Sequence, residues 1–277
     1  MTAAALARRR PRLLATPFFA DKSRQRLRHS GDPAASRAAF ERAPFRNLDY
    51  LLRRRYRWME AWIEGHAIVV ELGAGAGLSA RYLSHKPILS DVVANPWLDV
   101  AMSADRLALC DASIDVLIVS NALHHFAAPS RFLREAARVL KPSGVVLLNE
   151  AYCSLLLRLL LRLTQHEGYS WDVDVFAENA IANDPQDPWS GNNAVSNLLF
   201  DCRDTFESRV PDLKIIDDAP CEFLLFLASG GVTSKIPMPT LPGPVLRAVA
   251  ALDGLLVTAA PRLFALSRRT VLQKSAS

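Results

Sequence analysis

VVELGAGAGLSARYL, residues 69–83, is the stretch that decides the fold of this chain. Strand-type residues run to Glu71 and Leu72. Glycines follow at alternate positions, Gly73, Gly75 and Gly77, and a helix-compatible run covers 78–84. The pattern predicts a strand, a tight turn and a helix start. Glycine adopts positive φ and lets backbone come close to a ligand. A helix start offers unpaired N–H groups and the positive end of the dipole. A ligand with a polar or anionic part is therefore expected at the turn. A dinucleotide turn would want Gly or Ala where this chain has Leu78. The Gly-Lys-Ser/Thr of a phosphate-cradling loop is absent. Glu-x-Gly-x-Gly-x-Gly is what remains.

Working outward, AIVVEL (67–72) is the first strand. KPILSD (86–91) is the second, ending in Asp91, twenty residues after Glu71. An acid there can accept hydrogen bonds from both hydroxyls of a ribose. DVLIVS (115–120) reads as a buried parallel strand. SRFLREAARVLKPSG (130–144) is a helix with Phe132, Leu133, Ala136, Ala137 and Leu140 on one face, stopped by Lys141, Pro142 and Gly144. VVLLNE (145–150) is the next strand. This alternation implies an α/β fold with a doubly wound, mostly parallel sheet. Ligands bind beyond the carboxyl ends of such strands, where Glu71, Asp91, Asn121 and Glu150 all fall. Upstream, residues 45–64 place Leu48, Leu51, Leu52, Tyr56, Met59 and Trp62 at helical spacing. Downstream, SLLLRLLLRL (154–163) is a helix, covering the sheet or lying amphipathic at a membrane surface. Residues 166–197 are polar and loop-like, with Trp171, Trp189 and PWSGNN. LKIIDD (213–218) is a strand, and RRTVLQK (268–274) is the antiparallel terminal strand.

ELGAGAG, ILSD, SADRLALCDASIDVLIV, NALHHF and FLREAARVLKPSG, in that order over about residues 67–152, resemble the small-molecule branch of class I S-adenosylmethionine-dependent methyltransferases, the ubiquinone-type and type-11 enzymes. The resemblance implies a Rossmann-like sheet, S-adenosylmethionine as cofactor, and a set of site residues. Glu71, Gly73, Ala74, Gly75 and Gly77 would hold the methionine part of the cofactor, the carboxylate facing its ammonium and sulfonium. Asp91 would hold the ribose. Ser103, Ala104 and Asp105 would lie against the adenine, with Ser103 standing where relatives carry an aspartate. Asn121 and Ala122 would line the floor near the sulfonium. In a minimal enzyme of this kind the last two strands form a hairpin. Here the apolar segment 219–265 is inserted between them and is expected to cap the acceptor pocket or to face a partner or membrane. The arrangement is also similar to a bacterial group with a Ser-Gly-x-Asn motif.

Four units follow: a basic arm over 1–40 with little regular structure, a methyltransferase domain over 41–218 and 266–277, a lid-like loop at 166–200 within it, and the cap at 219–265. The chain of 277 residues is half hydrophobic, enough for a sizeable core. Its formal charge of +5 is uneven. Residues 1–60 hold 15 Lys/Arg against 5 Asp/Glu, and the rest holds 18 against 23. The arm could touch nucleic acid or an anionic membrane. Residues 1–20 lack acids and carry Arg8, Arg9, Arg10 and Arg12, similar to a transit peptide, and no secretory h-region follows. Cys110, Cys153, Cys202 and Cys221 sit at no metal-ligand spacing and suggest no disulfide framework. A reducing cytoplasm fits, and no metal is expected. No apolar run reaches the ~18 residues of a spanning helix.

Methyl transfer asks the protein chiefly to align an acceptor and exclude water. A general base helps when the acceptor is a hydroxyl. His124 and His125, after the 115–120 strand, are the candidates, not separable from sequence. Glu150, Tyr152, Trp189, Asn192 and Asn193 are the candidate acceptor-binding residues. Pro220-Cys221 and Asn95-Pro96-Trp97 look like nucleic-acid methylation motifs but follow the wrong strands. No aromatic-basic stacking platform is evident. The expected function is methyl transfer to oxygen or carbon of a small or lipid-like acceptor. The alternatives are an RNA or protein methyltransferase docking through the arm, and a non-catalytic cofactor-binding module.

Overall fold

The computed structural model describes residues 32–63, 65, 67–164, 167–231 and 236–275. The expectations for 1–31 lie outside the described residues. The end of the expected arm is regular. Helix α1 (Pro33–Arg42) starts with Pro33 in its first turn, and the Asp32 side chain caps it by accepting from the Ala35 N–H at 2.9 Å.

Seven strands form one sheet in the order β3-β2-β1-β4-β5-β7-β6. They are β1 (Val69–Leu72), β2 (Ile88–Asp91), β3 (Val100–Ala101), β4 (Ile114–Ser120), β5 (Leu140–Ala151), β6 (Leu213–Cys221) and β7 (Ser267–Lys274). The first five run parallel, and β7 is antiparallel to both β5 and β6. Alternate residues serve opposite faces. Val70, Leu72, Leu117, Val119, Val146 and Leu148 pack on helix α3 (Pro129–Val139). Val69, Val116, Ile118, Val145 and Leu147 pack on α2 (Arg46–Glu60) through Leu48, Leu52, Tyr56 and Met59. With both faces covered, the sheet presents only its strand ends to a ligand.

Several elements differ from expectation. After the glycine turn there is only a single 3₁₀ turn (Ser79–Arg81), because the chain must enter β2 at Ile88 directly after Pro87. The α3 helix ends at Val139, and the Lys141-Pro142-Ser143-Gly144 stretch lies within β5, with a register shift opposite β4. Gly144 is needed there, since a Cβ would lie 2.9 Å from the Lys141 carbonyl oxygen. Residues 195–200, assigned to the lid-like loop, form helix α5 (Val195–Phe200), with Val195, Leu199 and Phe200 buried against the sheet. Helix α6 (Arg203–Arg209) leads from it to β6.

Helix α4 (Leu155–Thr164) does not cover a sheet face. It packs with the inserted segment, where α7 (Leu224–Ser229), α8 (Gly243–Ala259) and α9 (Pro261–Phe264) lie. Leu157 and Leu161 join Phe223, Val257 and Phe264, while Leu155, Leu159 and Leu163 on the same helix are exposed. A second small core joins Leu51 of α2 to Leu225, Leu246 and Ala250. Asn47, fully buried, ties these parts together. Its amide nitrogen donates to the Ala228 and Pro239 carbonyls, and its oxygen accepts from the Leu241 N–H, all at 2.9 Å. No described helix is long and apolar enough to cross a membrane.

Candidate functional site

A cavity of about 850 Å³ opens over the carboxyl ends of β1, β2, β4 and β5, within the usual range for small-molecule sites. The glycine turn forms one wall. Gly73, Gly75 and Gly77 hold φ of +67°, +51° and +65°, values glycine tolerates without a Cβ penalty. Their roles differ. A Cβ on Gly73 would lie 2.5 Å from the Ala122 Cβ, and one on Gly77 would lie 2.9 Å from Trp97 Cδ1. These two let the turn pack against its neighbours. A Cβ on Gly75 meets nothing within 4 Å, so bare backbone faces the cavity. Neighbours clamp the turn: Trp97 Nε1 donates to the Gly75 carbonyl at 2.9 Å, Arg37 Nη1 donates to the Ala76 carbonyl at 3.0 Å, and the Gly75 N–H donates to Asp91 Oδ2 at 2.9 Å.

Glu71, Asp91, Ser103, Ala104, Asp105, Asn121 and Ala122 line the same cavity. Gly77 does not; it lies behind the turn. The Glu71 carboxylate accepts from Ser79 Oγ and, at 3.3 Å, from the Tyr56 hydroxyl. Burial pushes its carboxyl up to about 7 despite those bonds. Asn121 takes φ of +53°. With its amide oriented to satisfy both neighbours, its oxygen accepts from Arg55 Nη1 at 2.8 Å and its nitrogen donates to the Asn149 carbonyl at 3.2 Å. Arg55 escaped the sequence reading, lost among the arginines of RRRYR. Its signal was its place on the buried stripe, three residues after Leu52 and four after Leu51. It is buried and pairs with Glu222 through Nη2 at 2.6 Å and Nε at 3.0 Å. A buried carboxyl at the β1 end, which a cation would ionise, a bare glycine cradle and a second acid at the β2 end fit a ligand with an ammonium group and a ribose.

The opposite end of the cavity holds His124, His125, Glu167, Asn193 and Trp189. His124 sits between two carboxylates: Nδ1 against Glu150, and Nε2 at 3.3 Å from Glu167 Oε2. Burial opposes charge on this ring, but Glu150 and Glu167 outweigh it and hold the imidazolium to about 10. In this state His124 has no lone pair to act as a base, which distinguishes the two histidines that the sequence left inseparable. Burial and the His124 cation push His125 down, so it is neutral. Its Nδ1 faces the Ser190 carbonyl at 3.0 Å and therefore carries the proton, leaving the lone pair on Nε2.

Three expected acceptor-binding residues, Glu150, Tyr152 and Asn192, do not line the cavity. Glu150 is buried outside the cavity lining. It accepts from the Leu123 and Ala151 N–H groups, each at 2.7 Å. Burial alone would raise its carboxyl, but the His124 cation brings it below the ordinary range. Tyr152 packs its ring under the Arg268 guanidinium, 5.7 Å away. Asn192 is fully buried. Its oxygen accepts from the Ser170 N–H at 2.8 Å, and its own N–H donates to the His124 carbonyl at 2.8 Å. Asn193 and Trp189 do reach the cavity. Asn193 Nδ2 donates to Glu167 Oε2 at 2.9 Å, and the Trp189 ring meets His125 edge-on at 6.4 Å. Glu167 was not anticipated, since it lies in no motif and gains meaning only when the fold brings it to the histidines.

Residues 70–148 match the family described as Methyltransferase domain. This segment is a methyltransferase domain of that family, and its methyl donor is S-adenosylmethionine. No curated protein matches the chain. Among solved structures, a chain of the complex between the Haloferax volcanii Trm112 methyltransferase activator and a methyltransferase is 16% identical, covering 88% of this chain and 95% of that one, with a TM-score of 0.48. An S-adenosylmethionine-dependent methyltransferase from Archaeoglobus fulgidus is 17% identical, with 86% and 99% covered and a TM-score of 0.48. Another from Thermotoga maritima is 16% identical, with 87% and 98% covered and a TM-score of 0.47. Likenesses at this level carry no conclusion about the reaction or its acceptor.

Proposed function

We propose that the S-adenosylmethionine-dependent methyltransferase carried on residues 70–148 acts on a small, lipid-like acceptor with an apolar body and a polar head, methylated at oxygen. The observation that carries this reading is the division of the cavity wall. Leu157, Leu160 and Leu161 of α4 join Phe226, Leu227 and Ile236 of the inserted segment as an apolar side. His125, Glu167 and Asn193 form a polar end. An apolar body gains about 25 cal/mol per Å² buried against the first, while the polar head is fixed by the second.

The cofactor, when bound, supplies a methyl group already activated on a sulfonium. The chain's own residues hold and align. Glu71 would face the cofactor's ammonium, Asp91 would accept from its ribose hydroxyls, and 103–105 would border its base. Gly75 lets the ligand approach the backbone. Asn121, fixed by Arg55 and Asn149, sets the floor near Ala122. The inserted segment keeps water from the apolar side. Alignment of this kind is worth up to about 7–11 kcal/mol of barrier. In the metal-free chain His125 Nε2 is the available lone pair at the polar end, able to take an acceptor proton.

The test is transfer of isotopic label from methyl-labelled S-adenosylmethionine into cell extract, followed by fractionation. Label in the organic-extractable small-molecule fraction is expected. Label confined to precipitated RNA or protein would overturn this reading and favour docking through the basic arm.

A further inference from the structure

The Ser190-Gly191-Asn192-Asn193 segment, prominent in the sequence, finds no role in holding the methyl donor. Its contacts lead instead to His124, His125 and Glu167. Among the described residues these three offer ligand atoms that all lie within 4.8 Å of one another. His124 Nε2 is 3.3 Å from Glu167 Oε2, and His125 Nε2 is 3.7 Å from Glu167 Oε1. A zinc ion with nitrogen and oxygen ligands at 2.0–2.1 Å in tetrahedral geometry separates neighbouring ligand atoms by about 3.4 Å. The two separations, 3.3 and 3.7 Å, bracket that value.

The surroundings are those of a ligand set rather than of a chance cluster. Metal-bound histidines almost always give their other ring N–H to a carboxylate or a backbone carbonyl. His124 Nδ1 meets Glu150, and His125 Nδ1 meets the Ser190 carbonyl at 3.0 Å. Both Nε2 atoms are thereby aimed at one carboxylate. Asn193 Nδ2 fixes that carboxylate at 2.9 Å. The Asn192 N–H and the Asn183 amide hold the His124 carbonyl. Gly191 makes room: a Cβ there would lie 3.1 Å from His124 Cδ2 and 3.3 Å from His125 Cε1. Ser190, Gly191, Asn192 and Asn193 thus each touch at least one of these three residues.

We propose that His124 Nε2, His125 Nε2 and the Glu167 carboxylate bind one divalent transition-metal ion of the zinc class. All three residues line the cavity, so the remaining position is left for water or an oxygen of a small molecule, the pattern of sites with an open position. Binding replaces the proton on His124 Nε2, so it releases a proton and weakens in acid. It also occupies the His125 lone pair, so the ion and a free His125 base are alternative occupants of one point. The site itself does not depend on the methyl-transfer reading, and its test uses neither methyl donor nor acceptor.

The experiment is titration of the chelator-dialysed full chain with zinc alone and with cobalt(II) alone. One equivalent of zinc and the visible absorption bands of four-coordinate cobalt are expected. Both should be lost in Glu167→Gln and in His125→Ala, each shown to be folded by circular dichroism. Gly191→Ala should weaken zinc by about 10–100-fold, as supporting contacts do. X-ray absorption on the wild-type zinc form should count two imidazole ligands, which decides the matter even if a variant does not fold. No stoichiometric binding, no imidazole in the ligand shell, or full binding by folded Glu167→Gln and His125→Ala would overturn the assignment.

Discussion

The Arg55 guanidinium of α2 grips the Glu222 carboxylate at the end of β6 with two N–H donors, across 167 residues of sequence. Glu222 also accepts from Ser267 Oγ at 2.9 Å, and its backbone is held at φ of +55°. The pair ties the helix beneath the cofactor end to the segment that closes the cavity. Burial disfavours the charge on Arg55, but Glu222 more than offsets it and holds the guanidinium above its ordinary value. Removing one partner leaves a buried charge uncompensated, at a cost of about 3–5 kcal/mol. Glu222→Gln should lower unfolding stability by that order. In a double-mutant cycle with Arg55→Met, the coupling should be about 1–3 kcal/mol. Denaturant unfolding measures it, and a coupling near zero would refute the pair's structural role.

Two neighbouring glycines should separate binding from folding. Gly75→Val places its side chain in the open cavity, at a strain cost of about 1–2 kcal/mol for the left-handed backbone. It should keep the fold and lose S-adenosylmethionine binding in calorimetry. Gly73→Ala drives a methyl into Ala122 and should lower stability by about 1–3 kcal/mol. Equal thermal melts for the two variants would contradict this division.

Glu71 gives the cofactor end a pH dependence. Its folded value, about 7, lies above the ordinary carboxylate value. The stability it contributes is therefore full below that ordinary value and is lost as pH rises through about 7. Cofactor affinity runs the other way. A cationic ligand selects the ionised carboxylate, so affinity should climb by up to about tenfold per pH unit below neutrality and level off above it. Glu71→Gln should flatten the climb. A wild-type affinity that is level from weak acid to neutrality would exclude Glu71 as the cation's partner.

The apolar wall can be narrowed without touching the glycine turn. Leu161→Trp adds bulk on the α4 side. It should raise the acceptor KM about tenfold or more while leaving S-adenosylmethionine affinity unchanged. Steady-state kinetics with the acceptor from the labelling experiment decides. An unchanged KM would place the acceptor elsewhere.

The sheet was legible because its strands are short apolar runs ending in glycine, acid or asparagine, and alternating burial follows directly from strand period. What could not be read were features set by distance in three dimensions. The helix expected over 78–84 shrank because β2 begins too soon. The two-residue β3 carries too little pattern to register. Glu150 looked like a pocket residue because it ends a strand, yet its carboxylate turns to the Leu123 and Ala151 N–H groups and to His124. Arg55 and Glu167 acquire meaning only from partners far along the chain.

Asn47 has a consequence for how the protein is made. Among the described residues, its buried amide finds its partners in Ala228, Pro239 and Leu241. On the ribosome, those partners emerge long after α2 itself. At synthesis rates of about 5–20 residues per second, the 194 residues from Asn47 to Leu241 take about 10–40 s. The strands that carry the glycine turn are complete well before that. The nascent protein thus passes through an interval in which its cofactor half can assemble while the leucine-rich wall stands open, and that exposed wall is what a chaperone would meet first.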